Sequence, residues 1–497
     1  MFARFLSRAA LPALLFSSTL QAAVRLPQII SDHAVLQRNA PIHIWGWAAP
    51  DAHLTIVFDK QSRSAVADEA GEWSAWLMPE AAGGPYTLTV EGDGTLTRSD
   101  ILVGDVWLAS GQSNMEFPLK GFTTAAMNNG AQEIANANHP RIRLLHVPLA
   151  GADFPQNDVD ASWTDCTPAT AASFSAVAYF FGREISEKES VPIGLIDSTW
   201  GGTPADSWVS MDSLGNDAAL LPAFHARAIF ADNEARSSEL DAINAADKAK
   251  GKTMPARQWH PNQLSWRPAA LYNGMIAPLA PYSIKGFLWY QGETNSGANR
   301  YLNYAALFPA LIGDWRMHFA QGDLPFLYAQ ISSFNSPQEH WGVIRDAQRR
   351  ALSLRNTAMA VTIDVGNPHN VHPADKQTVG ARLALAARGM VYGEKIAYAS
   401  PTPRQVTNEP GALRVWFDHA RGLASRGELN AFEVAGVDHK FVSATAKIEG
   451  ETVVVSAPGV IWPVYVRYAW DNAATGSLRN AAGLPVGTFT SESAPEF

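Results

Sequence analysis

The chain has 497 residues, enough for more than one domain, with 47% apolar and 17% charged side chains. That balance suits a packed globular protein and excludes a disordered one. Its 38 basic and 47 acidic residues leave a net charge of −9 without a basic cluster, which excludes nucleic acid as a partner class. A single cysteine, Cys166, excludes an intramolecular disulfide and a cysteine-based metal site.

Residues 1–22 read as a secretory signal. Arg4 and Arg8 form a basic start, Ala9 to Leu20 is apolar but too short to span a bilayer, and Ala22 and Ala23 offer a cleavage site. The protein is therefore expected to be exported, to a bacterial periplasm or beyond. No later run is long enough to cross a membrane.

Residues 24–100 read as an N-terminal β module. Ile42 to Trp47 and Tyr86 to Val90 alternate in the strand manner, and Asp93-Gly94 is a hairpin signal. Residues 101–400 alternate strand and helix patterns. Strands are predicted over Asp105–Ala109, Ile193–Ser198, Ile284–Tyr290, Phe326–Ile331 and Met359–Asp364. Helices are predicted over Phe174–Lys188, Tyr301–Phe319, Val343–Leu354 and Lys376–Met390. This is the pattern of a parallel sheet covered on both faces, a three-layer α/β/α domain. The stretch 207–265 is too long for a simple crossover and reads as an insertion near the site, with a helical pattern over Ser238–Lys248. Residues 401–497 return to β character, with Thr452–Val455 after the turn pair Glu449-Gly450, and Pro463–Tyr468 beyond. β-Sandwich-like modules are expected at both ends.

Polar clusters follow four of the central strands. They are Gly111-Gln112-Ser113-Asn114-Met115, Trp200-Gly201-Gly202-Thr203, Gln291-Gly292-Glu293-Thr294-Asn295, and the loop from Asp364 to His372. In a parallel sheet these carboxyl ends share one edge, where open α/β sheets carry their sites. The serine turn is not the Gly-x-Ser-x-Gly elbow, because Met115 stands where the second glycine would be. Ester hydrolysis needs a nucleophile, a base and donors for the oxyanion. Ser113 fits the first role and His372 the second. The donors would be the Ser113 amide, an amide at Gly201 or Gly202, and a side-chain amide, Gln291 first and Asn295 second.

The stretches Gly111–Met115, Phe174–Phe181, Gly201-Gly202-Thr203, Leu271–Met275, Trp289–Asn295 and His372–Lys376 resemble, in order and spacing, the sialate O-acetylesterase family of SGNH hydrolases. That group includes bacterial relatives acting on plant polysaccharides. The resemblance implies hydrolysis of acetyl esters on sugar hydroxyls, no metal and no cofactor, and extra β modules around an SGNH core. One departure stands out. SGNH enzymes carry an Asp three residues before the catalytic His, and here that position is His369, with Asn370 two before. Either a backbone carbonyl near Asn370 orients the imidazole, giving a Ser–His dyad, or Asp364 or Glu293 reaches it from another strand end as a third member. The reading favours the dyad. His369 lacks the neighbours that a metal ligand needs.

Trp200, Trp208, Trp266 and Trp289 fall in or near the site loops, and Trp200, Trp289 and Asn114 are expected to touch substrate. Lys120, Arg267, Arg345 and Lys376 are the basic residues in view, few for a sugar that carries a carboxylate. The balance leans to an acetylated neutral glycan such as xylan or xyloglucan over O-acetylated sialic acid. Two other readings stay open: a glycan-binding protein on an esterase-like core, and a lipase-type serine hydrolase. The presence of both Ser113 and His372 speaks against the first, and the lack of a broad apolar lid against the second. No carboxylate pair supports a glycosidase. Oligomeric state is not legible.

Overall fold

The structure is a computed structural model that describes residues 23–223, 242–243, 245–251, 264–297 and 300–493. Its centre is a parallel sheet of β1 (Gly94–Gly111), β2 (His139–His146), β3 (Ile193–Thr199), β4 (Gly286–Tyr290), β5 (Phe326–Ala329) and β6 (Thr357–Ala360). The spatial order is β6-β5-β4-β1-β3-β2, with Thr164–Cys166 pairing antiparallel at the β2 edge. The inner strands are buried along their length, as Ile193–Thr199 and Gly286–Tyr290 show. Near-continuous apolar runs are what a sheet covered on both faces requires.

The covering helices are α1 (Ala176–Glu189), α2 (Tyr304–Phe319), α3 (Trp341–Arg350) and α4 (Lys376–Met390). Ser175 caps α1 through the Ala178 amide at 3.2 Å, and Asp375 caps α4 through the Thr378 amide at 2.9 Å. Helices α1 and α4 pack on each other and on β3, β5 and β6. Their approach depends on Gly380, where a Cβ would sit 2.7 Å from the Val177 carbonyl oxygen. Phe287 of β4 packs instead on Trp315 and Phe319 of α2. The expected α/β core with β-rich flanks is present.

Strand β1 is far longer than the predicted Asp105–Ala109. Its first half pairs antiparallel with Gly83–Gly92, and Val35–Gln37 pairs with Leu102–Gly104. Its second half lies between β3 and β4. The boundary read at residue 100 therefore falls inside one continuous strand. Strand β2 was not predicted, because Pro140, Arg141 and Arg143 interrupt its apolar residues; Arg143 is buried there on Asp100 and Asp165. Helix α4 has the predicted bounds, and β6 ends earlier than predicted. The helical pattern of Ser238–Lys248 lies partly outside the described residues.

In the C-terminal flank, Thr402–Glu409, Ala412–Asp418, Thr452–Ser456 and Thr445–Glu449 form one antiparallel sheet, and a second holds Phe432–Ala435 and Tyr465–Tyr468. Arg345 of α3 anchors this flank. Its buried guanidinium donates to the carbonyls of Ala469 at 3.2 Å and Asn472 at 3.3 Å. Arg345 is thus structural and does not face a substrate. No helix among the described residues is long and apolar enough to cross a membrane.

Gly111 ends β1 with φ 136°, and a Cβ on it would lie 2.2 Å from the Tyr290 carbonyl oxygen. Gly111→Ala should therefore cost roughly 2–4 kcal/mol, since backbone strain and a clash with a neighbouring strand add. Denaturant unfolding measures it; an unchanged midpoint would contradict this account of the turn.

Candidate active site

Beyond Gly111 the chain turns sharply and is tied to β4. The Gln112 amide donates to the Tyr290 carbonyl at 3.0 Å, and its side-chain oxygen accepts from the Thr294 amide at 3.1 Å. Ser113 then opens a single helical turn, Ser113–Glu116. His372 comes from the loop between β6 and α4, and its Nε2 lies 2.8 Å from Ser113 Oγ. The imidazole packs beside Phe122, with ring centroids 5.2 Å apart, and Phe117, at 6.3 Å. Burial, helped by the Lys376 cation, pushes His372 down to about 4. The ring is thus neutral at ordinary pH and can accept a proton.

The far nitrogen of that ring, Nδ1, has no acceptor among the described residues. Asn370 Oδ1 accepts from the backbone amide of His372 at 2.9 Å and not from the imidazole. Asp364 is committed elsewhere: Arg382 grips both its oxygens at 2.6 and 2.7 Å, and Arg479 adds a contact at 2.9 Å. These guanidinium contacts hold its carboxyl below the usual range against the opposing effect of burial. Glu293 is buried and bonded to Asn114 Nδ2 at 2.6 Å. Neither carboxylate orients His372, which corrects both candidates for the third member.

Asn114 also departs from expectation. It is fully buried beneath the serine turn, so it does not present a surface to substrate. Its Nδ2 donates to Glu293 Oε1 at 2.6 Å and to the Val371 carbonyl at 3.0 Å, while Oδ1 accepts from Lys376 Nζ. Burial pushes Lys376 down to about 7, and pushes Glu293 up. This hub joins the nucleophile turn, the β4 turn and the residue beside His372. The sequence offered only spacing as a signal: Lys376 follows His372 by four residues and opens α4, and Asn114 follows Ser113.

The oxyanion donors separate by what they already bind. Glu116 is half-buried beside Gly201; burial pushes its carboxyl up, and the nearby Gly201 amide opposes this. Gln291 Nε2 donates to Asn295 Oδ1 at 2.6 Å and to the Thr203 carbonyl at 3.2 Å. Gln291 is therefore spent on scaffolding, a correction to the first-choice side-chain donor, while Gly201 stays a candidate beside Gly202. Asn295 Oδ1 also receives the Ala205 amide at 2.9 Å, which fixes its amide plane and leaves Nδ2 as the uncommitted end. Among the described residues the amides of Ser113 and Gly202 likewise have no acceptor.

A polar edge with a hydroxyl, a neutral imidazole and unspent amide donors suits acyl transfer. Comparison with known proteins agrees. A family model for carbohydrate esterases described as sialic acid-specific acetylesterases matches residues 213–388. The sialate O-acetylesterase of Rattus norvegicus is 31% identical over 90% of this chain and 89% of its own. The chain belongs to the sialate O-acetylesterase family. The human family member is also 31% identical, over 90% of this chain and 87% of its own. The crystal structure of a carbohydrate acetylesterase from Xanthomonas citri matches with a TM-score of 0.82 and 37% identity, covering 95% of this chain and all of that one. This sialate O-acetylesterase family member is a carboxylic ester hydrolase.

The aromatic side chains of the esterase divide the same way. Trp289 is buried in the core, edge-on to Trp208 and Trp315, so it cannot touch substrate. Trp200 is half-buried at the site turn, its amide 3.1 Å from the Gly111 carbonyl oxygen. Trp266 Nε1 donates to the Gly202 carbonyl at 2.7 Å, and the guanidinium of Arg300 lies 4.2 Å from the Trp266 ring centroid. Arg300 escaped the sequence reading, which had only loop positions to go on. Its Nη1 is buried with no acceptor among the described residues. Lys376 is spent in the hub, and Arg267 pairs with Asp153 at 3.0 Å. A cluster of His33, Asp100 and Asp165 brings metal-type ligand atoms together, but Arg143 already occupies both carboxylates, at 2.9 and 3.0 Å.

The depressed His372 fixes the sign of one pH effect. A base must be neutral, so a lowered pKa extends activity toward acid. The acid limb of kcat/KM for a small acetyl ester should fall near pH 4. A limb at the ordinary histidine value near 6.5 would refute the desolvated base.

Proposed function

We propose that this esterase removes acetyl groups from glycan hydroxyls with Ser113 as nucleophile and His372 as its only base. The observation that carries this is the 2.8 Å contact between Ser113 Oγ and His372 Nε2, with no carboxylate on the opposite nitrogen among the described residues. In this reading Oγ attacks the acetyl carbonyl as its proton passes to Nε2. The developing oxyanion accepts from the Ser113 and Gly202 amides and from Asn295 Nδ2. The imidazolium returns the proton to the departing sugar hydroxyl, and water repeats the sequence on the acetyl-enzyme. The signal-like residues 1–22 support an exported location, in a bacterial periplasm or outside the cell.

Three variants test the dyad on a small acetyl ester. Ser113→Ala and His372→Ala should each lose roughly 10³-fold or more in kcat. Asp364→Asn should lower stability through Arg382 and Arg479 yet keep kcat within a few-fold. A loss of about 10⁴ for Asp364→Asn, the scale of a neutralised triad Asp, would restore a triad.

For substrate, we favour an acetylated neutral glycan such as xylan or xyloglucan, with Trp200 as the half-exposed ring beside the nucleophile. Arg300 favours a second reading, an O-acetylated sialic acid whose carboxylate meets the guanidinium. Kinetics on acetylated xylan fragments and on O-acetylated sialic acid decide between them. Release from the neutral glycan should be comparable or faster, and Arg300→Met should leave the ratio unchanged. A preference for the sialate of about 100-fold, worth roughly 2.7 kcal/mol and lost in Arg300→Met, would establish the second reading.

A further inference from the structure

The N-terminal flank carries an aromatic cleft that the active site does not use. Strands Ile42–Trp47 and Glu72–Leu77 pair antiparallel, placing His43 opposite Trp76, Trp45 opposite Ser74 and Trp47 opposite Glu72. Side chains alternate along a strand, so these six share one face, while Ile44, Ala75 and Leu77 turn to the buried one. The rings lie flat on one another. His43 stacks on Trp45 at 4.9 Å and 21°, and on Trp76 at 4.2 Å and 9°. Trp76 is nevertheless 55% exposed, an indole held in water at the end of a stack. Core packing does not explain it.

Beside this row lies a cleft of about 610 Å³, bounded across from the sheet by Gln156, Asn157 and the segment Ala277–Pro281. That volume falls within the range of small-ligand sites. Trp73 also lines it, and its Nε1 is buried without an acceptor among the described residues. The charged groups that line the cleft are the carboxylates of Asp68 and Glu72. The neighbouring cation, Arg25, lies over Trp47 at 3.7 Å and is already paired with Asp158 at 2.8 Å. The segment Ala277–Pro281 precedes the start of β4, so the cleft lies away from the carboxyl edge that carries Ser113.

We propose that this cleft binds neutral sugar rings of the glycan chain, at a distance from the ring being deacetylated. The C–H faces of a pyranose suit flat indoles, and sugar hydroxyls can donate to Asp68 and Glu72. The same carboxylates repel a sialic acid or a uronic acid, so the occupant is neutral. The proposal rests on the neutral-glycan reading of the active site, and binding is therefore measured apart from hydrolysis.

The test is calorimetric titration of the full chain with unacetylated xylohexaose and cellohexaose, using Trp76→Ala and Glu72→Gln. Both positions are exposed, so each variant should melt like the wild type and turn over a small acetyl ester normally. At least one oligosaccharide should bind the wild type, and Trp76→Ala should weaken it at least about ten-fold, roughly 1.4 kcal/mol. On acetylated polymer the same variant should raise KM and leave kcat unchanged. Absence of binding by either oligosaccharide, or binding indifferent to Trp76→Ala, overturns the proposal. Self-association lost in Trp76→Ala, without sugar binding, would assign the face to a second copy instead. Oligosaccharide binding without acetate release from neutral polymer would sink the substrate reading while leaving this site intact.

Discussion

A buried ammonium holds the site together. Lys376 sits in the first turn of α4, where the helix dipole disfavours a cation, and it is removed from water. Leaving such a charge bare would cost several kcal/mol, so its partners are fixed as firmly as the lysine itself. Asn114 is the coupling piece. Its oxygen takes the ammonium and its nitrogen reaches Glu293 and the Val371 carbonyl. Three loops from three strand ends thereby share one side chain. The short distance between Ser113 and His372 is a consequence, because the residue after the serine and the residue before the histidine are bonded to each other.

Around that hub, polar side chains act mostly on backbone. Gln112 ties the β1 turn to the β4 turn, and Gln348 Nε2 donates to the Gln291 carbonyl at 2.9 Å. Gln291 in turn fixes Asn295. A buried amide left unpaired is costly, so nearly every one here is matched. The exceptions matter more than the matches. Among the described residues Ser113 N, Gly202 N and Asn295 Nδ2 have no acceptor, and they are set in place by neighbours that are already satisfied. Preorganisation of this kind is worth most where charge develops during reaction.

This division of labour decides what could be read from the sequence. Strand ends and the hydroxyl–imidazole pair were legible, because short apolar runs followed by polar turns mark the carboxyl edge of a parallel sheet. The bounds of α4 were legible too, since Asp375 is a cap and the apolar period follows it. Commitments between distant residues were not. Asp364 looked available because Arg479, one of its two partners, arrives from the C-terminal flank. Trp289 looked like a site residue because it adjoins a polar turn, but the alternation of β4 sends its ring into the core. Gln291 and Asn295 are equally plausible donors by type; only the Thr203 carbonyl and the Tyr304 hydroxyl, at 3.2 Å, show that the glutamine is spent. Arg300 became visible only through the ring it stacks on.

A histidine held so far below its ordinary pKa is a weak base, and that sharpens the question of how it activates a serine. Among the described residues no carboxylate meets Nδ1, and burial and Lys376 both oppose an imidazolium. In the proposed mechanism the imidazolium would gain its main counter-charge only when the tetrahedral oxyanion forms on the acetyl group bonded to Ser113. Both charges would arise together beside the Phe117 and Phe122 rings, which pack on the imidazole and keep water from that side, so their attraction would exceed that in bulk water. Stabilisation that exists in the transition state but not in the ground state is the kind that raises kcat. A triad carboxylate would stabilise the imidazolium in the resting enzyme as well and would lift its pKa. In its place the proposed dyad would rely on desolvation and fixed amide donors, with the buried Asn114 hub keeping the hydroxyl and the ring in register.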